Sequence, residues 1–197
     1  MKRKLGLILV MLGLLLIAAA LGLFLFNRHQ EERAAQSVAS VIPQVVDAIY
    51  ERQSAQQGGV NFDPNREMPV SQVDGYDYIG FLFIPALQLE LPVMADWSEQ
   101  QLQIAPCRYS GSLYSDDLVL MAHNYKRHFG KISKLHGGDL VSFTDMDGNT
   151  TEFEVTVVDV LPPTAIEEMT AGEYDLTLFT CTYGGNSRVT LRCTRLE

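Results

Sequence analysis

Hydrophobic residues fall along this chain in three rhythms. Over residues 5–26 (LGLILVMLGLLLIAAALGLFLF) they are continuous, about 22 positions without a charge. At about 1.5 Å per residue such a helix crosses a bilayer core of about 30 Å. Over 30–57 the spacing becomes helical: Val38, Ile42, Val45, Val46 and Ile49 recur among charged and polar residues. This predicts a helical stalk, with Pro43 expected to kink or divide it. The spacing leaves open whether the stalk packs on the rest of the chain or is a solvated spacer. Turn formers dominate 58–75 and predict a linker. From Tyr76 the rhythm shortens to β-like runs at 78–84, 89–94, 118–122, 139–144, 152–161, 175–180 and 188–194, with short helical pieces at 98–104, 129–135 and 165–169. Phe153, Val155 and Val157 share one face, and Asp147-Gly148 between Phe143 and Phe153 signals a hairpin. Many short strands with frequent turns imply a mostly β barrel or sandwich. The chain thus divides into a tail (1–4), a membrane anchor (5–26), a stalk and linker (27–75) and a β-rich domain (76–197).

The flanks of the apolar run set its orientation. Lys2, Arg3 and Lys4 precede it, while Arg28, Glu31, Glu32 and Arg33 follow as a mixed set. The positive-inside rule puts the N-terminus in the cytoplasm and the domain outside, as a single-pass protein of the cell membrane. A cleaved signal peptide is the alternative, but its apolar region would span about 7–15 residues and end at small residues. Here Ala18-Ala19-Ala20 lie inside the run. The formal net charge of -9 argues against a nucleic-acid partner.

Composition then turns attention to three cysteines, Cys107, Cys181 and Cys193. An odd number outside the cell leaves at least one unpaired and open to reactive use. Cys181 ends the run Leu176-Thr177-Leu178-Phe179-Thr180 and opens a Gly-Gly-Asn turn. His123 ends the run Leu118-Val119-Leu120-Met121-Ala122 in the same way. Two strands ending in reactive side chains suit a preorganised thiol site, with His123 as proton shuttle; a satisfied core histidine is the alternative. His29 lies at the membrane edge, and His128 and His136 read as surface histidines. Cys193 reads as buried packing on the last strand, and Cys107 as a loop residue. A Cys107–Cys193 disulfide needs Cα atoms within about 7 Å.

Arg188 opens the last strand. With a two-residue period Arg188, Thr190 and Arg192 share one face, and Val189, Leu191 and Cys193 the other. A guanidinium stays charged, so it can stabilise an oxyanion or substrate carbonyl but cannot act as a base. Arg188 is the first choice for that role and Arg192 the fallback; a solvated strand arginine is the alternative for both. A nearby arginine should also favour the thiolate. The order His-then-Cys departs from papain-like enzymes, and Thr180-Cys181-Thr182-Tyr183 fits neither the caspase nor the L,D-transpeptidase setting.

Thr177-Leu178-Phe179-Thr180-Cys181 resembles the T-L-x-T-C signature of the sortases, membrane-anchored cysteine transpeptidases of Gram-positive bacteria. The upstream His123-Asn124, 58 residues before the cysteine, the downstream Arg188 and the N-terminal anchor strengthen the resemblance, which covers about residues 76–194. It implies an eight-stranded sortase-type β-barrel with short helices, behind a transmembrane helix and stalk. It implies cleavage of an LPxTG-like sorting signal after Thr, through a thioacyl intermediate on Cys181. The secreted protein is then transferred to an amine of a peptidoglycan precursor or a pilin. Carried over by position, Cys181 is the nucleophile, His123 the general acid/base and Arg188 the stabiliser. Thr180, Asn124 and Tyr183 are expected to contact substrate. No cofactor and no metal are implied; Glu167 and Glu168 lack partners for a calcium site. The short segment 162–174 departs from class B, while Cys107-Arg108-Tyr109-Ser110-Gly111-Ser112 and the stalk are similar to it, so the subclass stays open. Other readings are a thiol protease of the same fold that mainly hydrolyses, a non-catalytic membrane-tethered binding protein, and, weakest, a metal module built on His123, His128, Cys181 and Cys193.

Overall fold

The computed structural model describes residues 2–55 and 66–196; the Gly-rich start of the expected linker lies outside them. One helix, α1 (Lys2–Ala55), carries both of the first two hydrophobic rhythms. Its N-terminal half is apolar all round and exposed on every face, long and apolar enough to cross a membrane. Its C-terminal half buries a single stripe of Ala34, Val38, Val41, Val45 and Ile49. That stripe packs on the strands described next, so the stalk is a packed element rather than a spacer. Pro43 does not divide the helix. It faces solvent, as does Ala39, whose carbonyl it leaves without an amide partner, so water can take that place.

Nine strands follow: β1 (Ser71–Val73), β2 (Tyr76–Ile84), β3 (Leu89–Met94), β4 (Cys107–Ser110), β5 (Leu118–Met121), β6 (Leu140–Asp145), β7 (Thr150–Leu161), β8 (Leu176–Cys181) and β9 (Arg188–Arg195). Their order is β1-β2-β3-β4-β5-β8-β9-β7-β6, and β6 returns to pair with β2. Eight strands therefore close a barrel, and β1 extends it as a short hairpin arm. Closure removes the sheet edges that would otherwise invite pairing with another chain. The β3–β4 and β5–β8 contacts are parallel and the others antiparallel. Alternation fills the interior with Leu82, Leu120, Phe143, Phe153, Leu178 and Leu191, among others. A second cluster, with Tyr78, Met94 and Cys107, lies between the barrel wall and Val41, Val45 and Ile49 of α1.

Two strands escaped the pattern. β1 lies in the stretch read as linker, joined to β2 through Asp74-Gly75, both at positive φ, as a tight two-residue hairpin requires. β4 begins at Cys107, which is therefore a strand residue and not a loop residue. The Asp147-Gly148 turn does join β6 to β7. The short helices are α2 (Glu99–Leu102), two 3-10 turns at Pro85–Leu87 and Ile132–Lys134, and α3 (Ile166–Thr170). Cys107 and Cys193 are both buried, unpaired and in different clusters, one beneath α1 and one inside the barrel, so no disulfide joins them. Burial pushes both thiols up to about 12.

Candidate active site

The parallel β5–β8 ladder builds the site. Leu118 faces Leu176, and the offset of 58 residues holds through Met121 and Phe179. The contact continues beyond the paired residues: the Ala122 amide donates to the Phe179 carbonyl (3.3 Å), and Thr180 Oγ1 donates to the Ala122 carbonyl (2.8 Å). Carried two residues beyond the paired strands, the same offset would bring His123 level with Cys181. Leu120 and Leu178 point into the barrel, so alternation sends Met121, Phe179 and, after them, His123 and Cys181 to its outer face. The 58-residue spacing in the sequence is thus a strand register.

The loop after His123 is wound tightly. Phe129 donates its amide to the His123 carbonyl (3.2 Å), and Gly130 donates to Tyr125 (3.0 Å). A Cβ on Gly130 would lie 2.3 Å from the Asn124 carbonyl oxygen, so only glycine lets the backbone close there. The His123 ring packs against Tyr125, with centroids 4.9 Å apart, and Tyr125 packs against His128 at 5.4 Å. Burial lowers the His123 pKa, and Glu99 at the start of α2 pulls weakly the other way. His128 was expected at the surface but is fully buried, because the winding of the loop turns it inward. Neither of its ring nitrogens has a hydrogen-bond partner among the described residues. Burial, aided by the charge His123 can carry, lowers its pKa to about 4, against a small opposing pull from the Ile104 backbone. His136 is exposed, as is His29 on α1.

The two arginines part company. Arg188 is the cross-strand partner of Cys181 on β9, half-buried at the mouth of the β8–β9 turn. Its Nη1 donates to the carbonyls of Gly185 (3.1 Å) and Ser187 (3.2 Å), so the guanidinium is folded onto that turn. Arg192 stands opposite Thr177, four positions along the strand and about 13 Å away. It is buried, donates from Nη2 to the Glu168 carbonyl (2.6 Å), and lies over the Tyr174 ring. Arg188 thus sits across from Cys181 with its guanidinium on the turn, whereas Arg192 ties α3 to the barrel.

A cavity of about 1010 Å³ opens at the cysteine end of the barrel. Asn124, Thr180 and Tyr183 line it along with Cys181. The Thr180 hydroxyl is committed to Ala122, so its visible work is to tie the two strand ends together. Tyr183 is 96% exposed. The far wall is α1, from Phe24 to Ala35, and Lys126 pairs with Glu31 across the gap at 3.4 Å. Nothing in local periodicity reveals this contribution, which depends on packing between distant segments. On the outer face, two residues before the cysteine, Phe179 meets Tyr109 edge-on at 5.3 Å, and Tyr109 stacks with Trp97. With Val119, Met121, Leu161 and Met169 of α3, Tyr109 and Phe179 form a small apolar cluster whose centre is buried. No cluster of His, Cys, Asp or Glu that could hold a metal occurs among the described residues.

A family model described as a sortase domain matches residues 82–196. A search of curated proteins found no match. Among solved structures, the chain is similar to sortase C1 from Streptococcus suis, at 30% identity over 61% of this chain and 73% of that one, with a TM-score of 0.53. It is also similar to Streptococcus pneumoniae sortase C, described for its catalysis and pilin substrate specificity (22% identity, 82% and 97% coverage, TM-score 0.58). A third is a lid mutant of sortase A from Corynebacterium diphtheriae (18%, 81% and 95%, 0.53). These neighbours carry sortase C and sortase A names.

Proposed function

The chain belongs to the sortase family, whose members are cysteine transpeptidases, and from that premise we propose that it cuts an LPxTG-like sorting signal after threonine and passes the released acyl group to an amine. The observation that supports this most directly is the parallel β5–β8 register, which joins the strand ends leading to His123 and Cys181, with Arg188 the cross-strand partner of Cys181. The Cys181 sulfur attacks the threonine carbonyl carbon, and Arg188 swings from the turn to donate to the oxyanion. His123, carrying the proton, gives it to the leaving amine as the peptide bond breaks and the thioacyl bond forms. An acceptor amine then attacks the thioacyl carbon, losing its proton to His123 and expelling the thiolate. Burial favours the neutral imidazole at His123, with Glu99 pulling weakly the other way. The partly exposed rings of Trp97 and Tyr109 take side chains on the N-terminal side of the scissile bond. Of the two acceptor classes, a pilin lysine fits the sortase C neighbours and a peptidoglycan amine fits the sortase A neighbour. The α1 helix anchors the enzyme, with the domain on the outer side of the membrane.

The test uses the full chain in detergent, LPxTG-like and NPxTx-like peptides, and mass spectrometry, with and without triglycine, a diaminopimelate-type amine or a lysine peptide. Cleavage after Thr with an adduct on Cys181, lost in Cys181→Ala and His123→Ala, is expected. Arg188→Ala should lose at least about a hundredfold in rate, the scale of one oxyanion donor, and Arg192→Ala much less once its fold is checked. The amine adduct separates transfer from hydrolysis. Absence of any Cys181 adduct across the panel would count against the assignment.

A further inference from the structure

Helix α1 serves as a ruler along the barrel. The Cys181 cavity touches it at Phe24 and Arg28, at the end of the apolar run. The β6–β7 hairpin touches it at Arg52 and Gln53, where Arg52 Nη2 meets Asp147 at 2.9 Å and Gln53 Nε2 donates to the Gly148 carbonyl at 3.2 Å. About 38 Å of helix separates Arg28 from Gln53. The barrel therefore stands with its cysteine end toward the apolar segment and its hairpin end away from it.

The rim at that end has a composition unlike the rest of the chain. Between His123 and Asp139 lie Lys126, Arg127, Lys131 and Lys134 and no acidic residue, in a protein of net charge -9. Lys126 is partly matched by Glu31, and Arg28 by Glu32. Arg127 and Lys131 have no ion-pair partner among the described residues, and both line the cavity. Tyr183 projects from the opposite lip, almost wholly in solvent. Basic side chains next to a tyrosine at the end of an apolar helix are the chemistry of an anionic lipid surface. The cations meet lipid phosphates, and the phenol ring sits at headgroup depth.

We propose that the rim formed by Lys126, Arg127, Lys131 and Tyr183 rests on the anionic phospholipid headgroups of the membrane that α1 crosses, so that the Cys181 cavity opens at the membrane plane rather than into bulk solvent. This rests on α1 spanning the bilayer, as proposed above, and not on the reaction. It confines the substrates to chains and amines that emerge from the same leaflet.

Trp97 is the single tryptophan, so a Trp97→Phe background gives a silent frame for one reporter at a time. Tyr183→Trp reports the rim. Tyr50→Trp, about 36 Å beyond Phe26 along α1, reports the far end, and Leu15→Trp reports the bilayer interior. Each full-length variant is reconstituted in bilayers of phosphatidylglycerol and phosphatidylcholine, or of phosphatidylcholine alone, carrying quenchers near the headgroup or at the chain centre. The expected result is a blue shift and strong shallow quenching at 183, none at 50, and deep quenching at 15. The signal at 183 should weaken in phosphatidylcholine alone, at high salt, and in the Lys126→Glu, Arg127→Glu, Lys131→Glu variant. Quenching at 183 no greater than at 50, with 15 deeply quenched, overturns the proposal and leaves the anchor standing. So does shallow quenching at 183 that is indifferent to lipid charge and to the triple variant. Lack of quenching at 15 removes the membrane span, and the proposal with it, while the sortase assignment stands or falls on the peptide assay in detergent.

Discussion

His128 shows how a single buried ring couples the site to pH. Its pKa lies near 4 in the folded chain and near 6.5 when exposed, so the unfolded chain binds the proton more readily. Stability contributed by the neutral ring is therefore complete above about pH 6.5 and is lost as pH falls toward 4. The span corresponds to at most about 3 kcal/mol. Thermal melts from pH 7 to pH 4.5 should show a steep loss for the native chain and a flatter one for His128→Leu; parallel slopes would sink the idea. Gly130→Ala is the companion case, since the new methyl meets the Asn124 carbonyl beside His123. We expect a loss of activity of about tenfold or more, because small displacements of catalytic groups are costly, measured as kcat/KM on the cleaved peptide. That Cys181 and His123 stand at the ends of neighbouring strands was legible because each ends an apolar run. His128 was misread because its burial comes from a loop that folds back on itself, which local polarity does not encode.

At the scale of elements, Arg188 and Arg192 separate what alternation made equivalent. Both were expected on one face, and both are there; only the register, Cys181 opposite Arg188 and Thr177 opposite Arg192, distinguishes them. Arg192→Ala removes the charged donor that holds Glu168 and should destabilise the chain by about 2 kcal/mol, read as a lower denaturant midpoint. Seven strands were legible from their apolar content. β1 was hidden because Ser71-Gln72-Val73 buries only one side chain. β4 was hidden because Cys107-Arg108-Tyr109-Ser110 has little apolar alternation and joins β3 through a single parallel bridge. The uninterrupted α1 defied Pro43 because the proline falls on the solvent side, opposite the buried stripe.

For the whole molecule, α1 is at once anchor candidate, lid of an apolar cluster and wall of the cavity. Its far end is clasped by Arg52, which joins Arg66 on the buried Asp147 carboxylate. Burial alone would raise that carboxyl, but the two guanidiniums outweigh it and hold it below the ordinary range. A chain beginning at residue 66 would lose Val41, Val45 and Ile49 from the cluster around Tyr78 and Met94. We expect such a chain to bind a hydrophobic dye and melt well below the full chain; an unchanged melt would show that the barrel does not need α1. Of these three uses the anchor was legible in its apolar run and packing of the stalk was left open, but the cavity wall was not legible, because it joins segments far apart in the chain.

The ladder between β5 and β8 also acts as an internal proofreader. Sliding one strand past the other by a single residue would turn Leu118 and Leu120 out of the barrel while carrying His123 away from the cysteine. An inactive register and a solvent-exposed core are thus the same error. A molecule that folds soundly enough to persist has, by that fact, already aligned the pair proposed to react.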